Sequence, residues 1–293
     1  MNPQPKYTMH LKRWITGLTA LPLLFLLISK GGEQLFALVV SMVSIIALWE
    51  YFHLVSETDE NARPAFTQGS KAAKKKVSPS GFQFLSFLTG FAMIWAAYIL
   101  SFKLMVGLIT LNFLLFGSIS VKRFKNNSGD LELVFKQVLA ITYIPLFLSY
   151  LVLLRNSSGG VIWIFFILCI VFSGDTGAYY AGSYLGRHKL CPFVSPGKTV
   201  EGSIGGLALN LGVGALFKWY FLPSLPWGLS ILLFLSIGIA AQMGDLFEST
   251  LKRVSKVKDS GILFPGHGGM LDRVDALIFA APVAYLFKTY ILI

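Results

Sequence analysis

Apolar runs of about twenty residues, broken by short polar stretches, recur from one end of this chain to the other. A segment of roughly 20 apolar residues is what an α-helix needs to cross the hydrocarbon core of a bilayer. Inside lipid the backbone N–H and C=O groups must be satisfied within the segment, as a helix satisfies them. The runs place spans at 14–30, 35–55, 82–100, 104–121, 138–154, 161–180, 203–222, 229–247 and 275–292, about nine in all. Only Ser101, Phe102 and Lys103 separate the third from the fourth, and merging them would reverse every later span. The expected fold is all-α, a polytopic integral membrane protein. Composition agrees, with 55% hydrophobic and 13% charged residues and a mean hydropathy of +0.67.

Positive charge orients the spans, because short cytoplasmic loops collect Lys and Arg. With the N-terminus cytoplasmic, 20 of the 25 basic residues fall inside; Lys30, Lys103, Arg155, Lys218 and Lys288 fall outside. The net charge of +11 does not point to nucleic acid, since the basic residues sit in inter-helix loops without interleaved aromatics. A basic cytoplasmic face suits anionic lipid headgroups and nucleotide phosphates. The first span has a basic lead-in, but no small-x-small cleavage site precedes Lys30, so a helix is expected rather than a signal peptide. Residues 56–81 form a flexible basic loop. Cys169 and Cys191 show no ligand spacing, and neither disulfide nor zinc is expected.

An ionised group at membrane depth costs roughly 2.5–3.5 kcal/mol or more, so it persists only with a partner or a purpose. Asp175, Glu201, Asp245, Glu248, Asp272 and Asp275 lie at the cytoplasmic ends of the last four spans, and the first five spans carry only Glu50. Residues 1–160 therefore read as scaffold and lipid-facing wall. Residues 161–293 read as the catalytic region, with cytoplasmic loops 181–202 and 248–274.

Three clusters carry the chemistry. In 244–253, Asp245, Glu248, Ser249 and Lys252 fall on one helical face; an internal Glu248–Lys252 pair is the plainer alternative. In 258–275, Gly261, Gly266, Gly268 and Gly269 allow close backbone approach to phosphate, His267 sits among them, and Lys252, Arg253, Lys256, Lys258 and Arg273 supply charge. Asp272 and Asp275, three apart at a helix start, offer oxygen ligands suited to Mg²⁺; helix capping would account for one of them but not both. In 173–206, Asp175 ends a span, and Ser195, Lys198, Thr199 and Glu201 form a polar loop before a helix start able to hold phosphate. Its GKT lacks the upstream glycine of a P-loop, which excludes that class of ATPase.

Segment 249–275, STLKRVSKVKDSGILFPGHGGMLDRVD, resembles the signature of the phosphatidate cytidylyltransferase, or CDP-diacylglycerol synthase, family. Every fixed element is present, from Ser249, Lys252 and Arg253 through Lys258, Asp259, Gly261, Pro265, His267, Gly268 and Gly269 to Asp272, Arg273 and Asp275. The likeness extends to Asp175–Tyr179, Gly186–Arg187, 195–202 and 244–249, with Val200 standing where an aromatic is common. It is strong over 170–290; the first half matches only as generic helices and a start at Lys12–Gly17.

The resemblance implies transfer of a cytidylyl group from CTP to phosphatidic acid, giving CDP-diacylglycerol and pyrophosphate. It further implies Mg²⁺ held by Asp245 and Asp272, with Asp275 a further ligand, a monovalent cation such as K⁺, a homodimer, and a bacterial inner (cytoplasmic) membrane. The lipid phosphate attacks the α-phosphorus, so positioning and charge neutralisation suffice. Asp245, Asp272, Lys252 and His267 are the expected catalytic residues. Ser195, Lys198, Thr199, Glu201, Ser249, Arg253, Lys258, Arg273 and Asp175 are the expected substrate contacts. A CTP-dependent membrane lipid or polyprenol kinase is the nearest alternative. A transporter is a distant one, since its charges would lie near the midplane between repeats.

Overall fold

A computed structural model describes residues 21–61, 81–123, 129–261, 263 and 268–292. His267, the start of the first expected span and residues 62–80 of the expected loop 56–81 lie outside the described residues, while 56–61 are helical as the end of α2 and Gly81 begins α3. The chain runs through α1 (Leu21–Lys30), α2 (Gly32–Asn61), α3 (Gly81–Tyr98), α4 (Phe102–Arg123), α5 (Gly129–Ile141), a π-helical turn (Thr142–Leu146), α6 (Phe147–Arg155) and α7 (Gly160–Leu185). A hairpin, β1 (Lys189–Cys191) and β2 (Ser195–Thr199), leads to α8 (Val200–Phe221), α9 (Trp227–Val254) and α10 (Leu271–Tyr290).

The fold is all-α and built for a bilayer. Among the described residues six stretches are long and apolar enough to cross: Gly32–Ser56, Phe102–Lys122, Val134–Arg155, Gly160–Leu185, Val200–Phe221 and Trp227–Val254. Leu21–Lys30 and Gln83–Tyr98 are shorter apolar helices. The expected gap at 101–103 is a true helix break, placed slightly earlier: α3 ends at Tyr98 and α4 begins at Phe102, so Phe102 and Lys103 are already helical. Leu100 takes φ +55, which an ordinary side chain rarely adopts, Ser101 Oγ accepts from Leu104 N at 3.3 Å, and Tyr98 O accepts from Asn156 Nδ2 at 2.9 Å.

Most of the span Val134–Arg155 is α-helical, but Pro145 has no N–H to give, and the ladder widens there into the π turn. That turn aims the buried Tyr143 at α9 and α10. Its ring lies 4.9 Å from Phe247 and 6.1 Å from Phe279, both edge-on, and Phe147 meets Phe279 at 5.5 Å. This aromatic wedge backs the helix face that carries the acidic residues.

The tightest helix pair is α7 on α8, where small residues let the backbones approach. A Cβ at Gly177 would stand 2.7 Å from Gly205 O and 2.9 Å from Leu209 Cβ. Gly177→Ala is therefore expected to destabilise the protein by about 1–3 kcal/mol through overpacking. A lowered unfolding temperature in detergent would record it; an unchanged one would mean the helices part without cost.

The bundle has two chemically distinct ends. At one, Arg155 Nη2 donates to Ile28 O at 3.2 Å, Lys288 Nζ donates to Ser157 Oγ at 2.6 Å, and Lys218 Nζ stands 4.2 Å over the Trp227 ring. At the other, Arg253 Nε donates to Val194 O at 2.9 Å, so loops 181–202 and 248–274 meet at the same end.

Loop 181–202 is more ordered than its small and polar residues suggest. Its strands pair antiparallel, Lys189 opposite Thr199 and Cys191 opposite Ser195, with an irregularity between. Pro192 sits at the second position of the Cys191–Val194 turn, where its fixed φ is favoured, and Val194 N closes it on Cys191 O at 3.2 Å. The hairpin is a small exception to the all-α expectation.

Candidate functional site

A cavity of about 540 Å³ opens between α7, α8, α9 and the hairpin, with Asp175, Tyr179, Lys198, Thr199, Gln242 and Asp245 among its lining residues. The two carboxylates arrive from different helices at matching depth. Asp175 is ten residues from the end of α7 and Asp245 nine from the end of α9, about 15 and 14 Å at 1.5 Å per residue. With 28 residues, α9 is about 42 Å long against a hydrocarbon core of about 30 Å, which allows its last turns to reach the interface.

Lys198 Nζ pairs with Asp245 Oδ2 at 2.6 Å, and Ser249 Oγ reaches Asp245 Oδ1 at 3.4 Å. Asp275 of α10 adds a third carboxylate within electrostatic reach of Asp175 and Asp245, while Lys198 and Arg273 attract Asp175. Gln242, one turn before Asp245, donates from Nε2 to Ser203 O at 3.0 Å and pins α9 to α8 at the cavity wall.

A second cluster sits one turn further along α9. Lys252 Nζ is held by Glu248 of its own helix and by Asp272 Oδ1 of α10, the latter at 2.7 Å. The plainer alternative for Glu248, an internal pair with Lys252, is what the structure contains, and Asp272 extends it into a tether between helices. Asp272 Oδ2 accepts from Ser260 N at 2.9 Å, Ser260 Oγ at 2.9 Å and Gly269 N at 2.7 Å. Glu50, from the middle of α2, accepts Met270 N and Leu271 N at 2.8 Å each.

Several expected substrate contacts are engaged within the protein. Thr199 Oγ1 caps α8 by accepting Gly202 N at 3.1 Å. Glu201 accepts Arg187 N at 3.0 Å and meets His188 Nδ1 at 2.6 Å, fastening the hairpin's entry. Ser195 begins β2, and Arg253 braces the hairpin turn. Lys258 and Arg273 are exposed at the same end.

The structure thus divides the expected metal ligands. Asp245 lines the cavity and Asp275 stands within electrostatic reach of it, whereas both oxygens of Asp272 are engaged elsewhere, Oδ1 by Lys252 of α9 and Oδ2 by Ser260 and Gly269. Among the described residues no three of His, Cys, Asp and Glu gather as a metal-holding group. Mg²⁺ does not require one, because it keeps several waters and binds through one or two carboxylates plus substrate phosphates. Hard oxygen donors at Asp245 and Asp175, with Asp275 nearby, fit that demand; Asp272 fits it only by giving up donors it now holds.

The sequence pattern of the cytidylyltransferase family matches residues 11–291. The chain belongs to this family. Among similar proteins, phosphatidate cytidylyltransferase of Bacillus subtilis is 41% identical over 148 residues, 50% of this chain and 55% of that protein. Phosphatidate cytidylyltransferase of Synechocystis is 45% identical over 139 residues, 47% of each chain. An uncharacterised protein, YnbB, of Escherichia coli is 44% identical over 135 residues, 46% of this chain and 45% of that protein. The matched segments span about half the length of these relatives.

In this cytidylyltransferase-family chain, sequence reasoning misses two kinds of site residue. Gln242 was legible in principle, since it lies three residues before Asp245 on the same helical face. Ser260 and Glu50 were not, because what joins them is a contact over 210 positions of chain, Ser260 Oγ to Glu50 Oε2 at 3.1 Å. Glu50 stood out as the lone carboxylate of the first five spans, yet its partners lie in the other half of the protein.

Proposed function

We propose that this chain transfers the cytidylyl group of CTP to phosphatidic acid, releasing pyrophosphate and leaving CDP-diacylglycerol in the bilayer. The observation that carries the reading is the cavity itself: two carboxylates and a lysine at one end of an apolar helix bundle, open to a polar hairpin. A volume of about 540 Å³ falls in the usual range for small-ligand sites, roughly 300–1,000 Å³.

Lys198 Nζ carries three N–H donors, of which Asp245 takes one, leaving two for phosphate oxygens. The first turn of α8, at the cavity rim, adds the partial positive charge of a helix N-terminus. Arg273 and Lys258, exposed at the same end, suit the lipid phosphate and the departing pyrophosphate. Mg²⁺, held by Asp245 with Asp175 and Asp275 as neighbouring carboxylates, would supply neutralisation of triphosphate charge. The attacking phosphate is already ionised, so no protein group has to remove a proton. A monovalent cation such as K⁺, a homodimeric assembly and placement in a bacterial inner membrane belong to the same reading.

Purified protein supplied with CTP, phosphatidic acid and Mg²⁺ is expected to yield CDP-lipid and pyrophosphate in equal amounts. CDP together with a lipid diphosphate would instead mean attack at the γ-phosphorus, and the lipid kinase alternative. Topology gives a second expectation: nine passes, the N-terminus and the site cytoplasmic. Asp259 is exposed, whereas neighbouring Ser260 is buried, so Asp259→Cys in a background lacking Cys169 and Cys191 is the suitable reporter. It is expected to react with a membrane-impermeant thiol reagent only after cells are opened; labelling in intact cells would overturn the orientation.

A further inference from the structure

Glu50 is 1% exposed, in the half of the chain whose sequence reads as scaffold. Its two oxygens face an arrangement that belongs to the far half. Oε1 accepts Met270 N and Oε2 accepts Leu271 N, each at 2.8 Å, so the carboxylate closes the N-terminus of α10, where a negative charge is favoured. The same Oε2 lies 3.1 Å from Ser260 Oγ.

Two glycines make room for it. A Cβ at Gly261 would stand 2.5 Å from Glu50 Oε1, and one at Gly269 would stand 2.5 Å from both Glu50 oxygens and 2.4 Å from Ser260 Oγ. The carboxylate is therefore enclosed by the segment it holds. Ser260 stands between the two carboxylates: its N–H donates to Asp272 Oδ2 at 2.9 Å, its hydroxyl, with one proton to give, lies 2.9 Å from that oxygen and 3.1 Å from Glu50 Oε2, and Gly269 N–H donates to Asp272 Oδ2 at 2.7 Å. Asp272 Oδ1 in turn holds Lys252.

We infer that Glu50 is a positioning residue for the cytidylyl transfer: by gripping Ser260 and the first turn of α10 it fixes Asp272, and through Asp272 the Lys252 ammonium. The inference rests on the activity proposed above. It assigns part of the site's order to α2, and it gives the invading carboxylate a purpose that a scaffold helix would not need. Removing a group that orients a site residue usually lowers activity by about 10–100-fold.

Glu50→Gln keeps the shape and one acceptor oxygen, but turns an NH₂ toward backbone N–H donors. It is expected to lower kcat by about 10–100-fold, with KM for CTP changed far less, and to speed hydrogen exchange at Met270 and Leu271. Ser260→Ala, which deletes only the hydroxyl link, is the milder second variant. If both act through Asp272, the double variant loses less than the product of the single losses. Wild-type kcat in Glu50→Gln, multiplicative losses, or unchanged exchange at Met270 and Leu271 would each overturn the inference. A wild-type protein that makes no CDP-lipid would overturn the proposed activity and with it Glu50's part in that reaction, while unchanged exchange in a protein that does make CDP-lipid would overturn the Glu50 inference alone.

Discussion

Asp245→Asn is expected to lower kcat for CDP-lipid formation by about 10²–10³-fold, the usual loss when one preorganised electrostatic group is removed from a transition state. The substitution keeps the size of the side chain and removes its charge. Asp245 is where the cavity's charges converge: Lys198 at 2.6 Å, with Asp175 and Asp275 within electrostatic reach. Neutralising it removes a carboxylate proposed above to hold Mg²⁺ and takes from Lys198 the ion pair at 2.6 Å. The variant should still insert in the membrane, because the apolar length of α9 is untouched. Steady-state production of CDP-lipid at saturating CTP is the measurement. A variant within threefold of wild type would move the metal, and the chemistry, away from this cavity.

Lys252→Met is expected to reduce both stability and turnover, and a second substitution should separate the two. Among the described residues Lys252 is the cation paired with Glu248, whose side chain is 0% exposed, and it also holds Asp272, 8% exposed. Taking one partner from a buried ion pair usually costs about 3–5 kcal/mol, since the remaining charge stays desolvated. Adding Glu248→Gln removes that stranded charge, so the double variant should regain most of the lost unfolding temperature in detergent. Activity should stay low, because Asp272 has lost the ammonium that joins it to α9. Recovery of both properties together would reduce Lys252 to a structural tether.

The helices and the acidic clusters were readable from local pattern, while their assembly was not. The i, i+3, i+4, i+7 spacing of Asp245, Glu248, Ser249 and Lys252 places them on one face of α9, and that face does carry both site clusters. Spacing could not divide them. Asp245 faces the cavity and Lys198, whereas Glu248, one turn on, is buried against Lys252. The same applies to Asp272 and Asp275: three apart in sequence, they share a helix start yet serve different neighbours, one the loop of Ser260 and Gly269, the other within electrostatic reach of Asp245 and Asp175. Lys198, Thr199 and Glu201 were recognisable as a polar loop. Only the hairpin's pairing separates them, Lys198 to the cavity, Thr199 to the cap of α8 and Glu201 to His188 and Arg187.

Apolar length, helical face, the charge of each loop and the family's pattern across residues 249–275 depend on nearest neighbours along the chain and were legible there. These follow from short-range physics, because a helix in lipid satisfies its own backbone. Contacts between residues far apart along the chain came from helix packing. It brought Lys198 to Asp245, tied Lys252 to Asp272, and set Glu50 of α2 against Ser260 and the start of α10. The cost of burying each charge selects its partner, and a partner 210 positions away becomes a neighbour only when the helices pack.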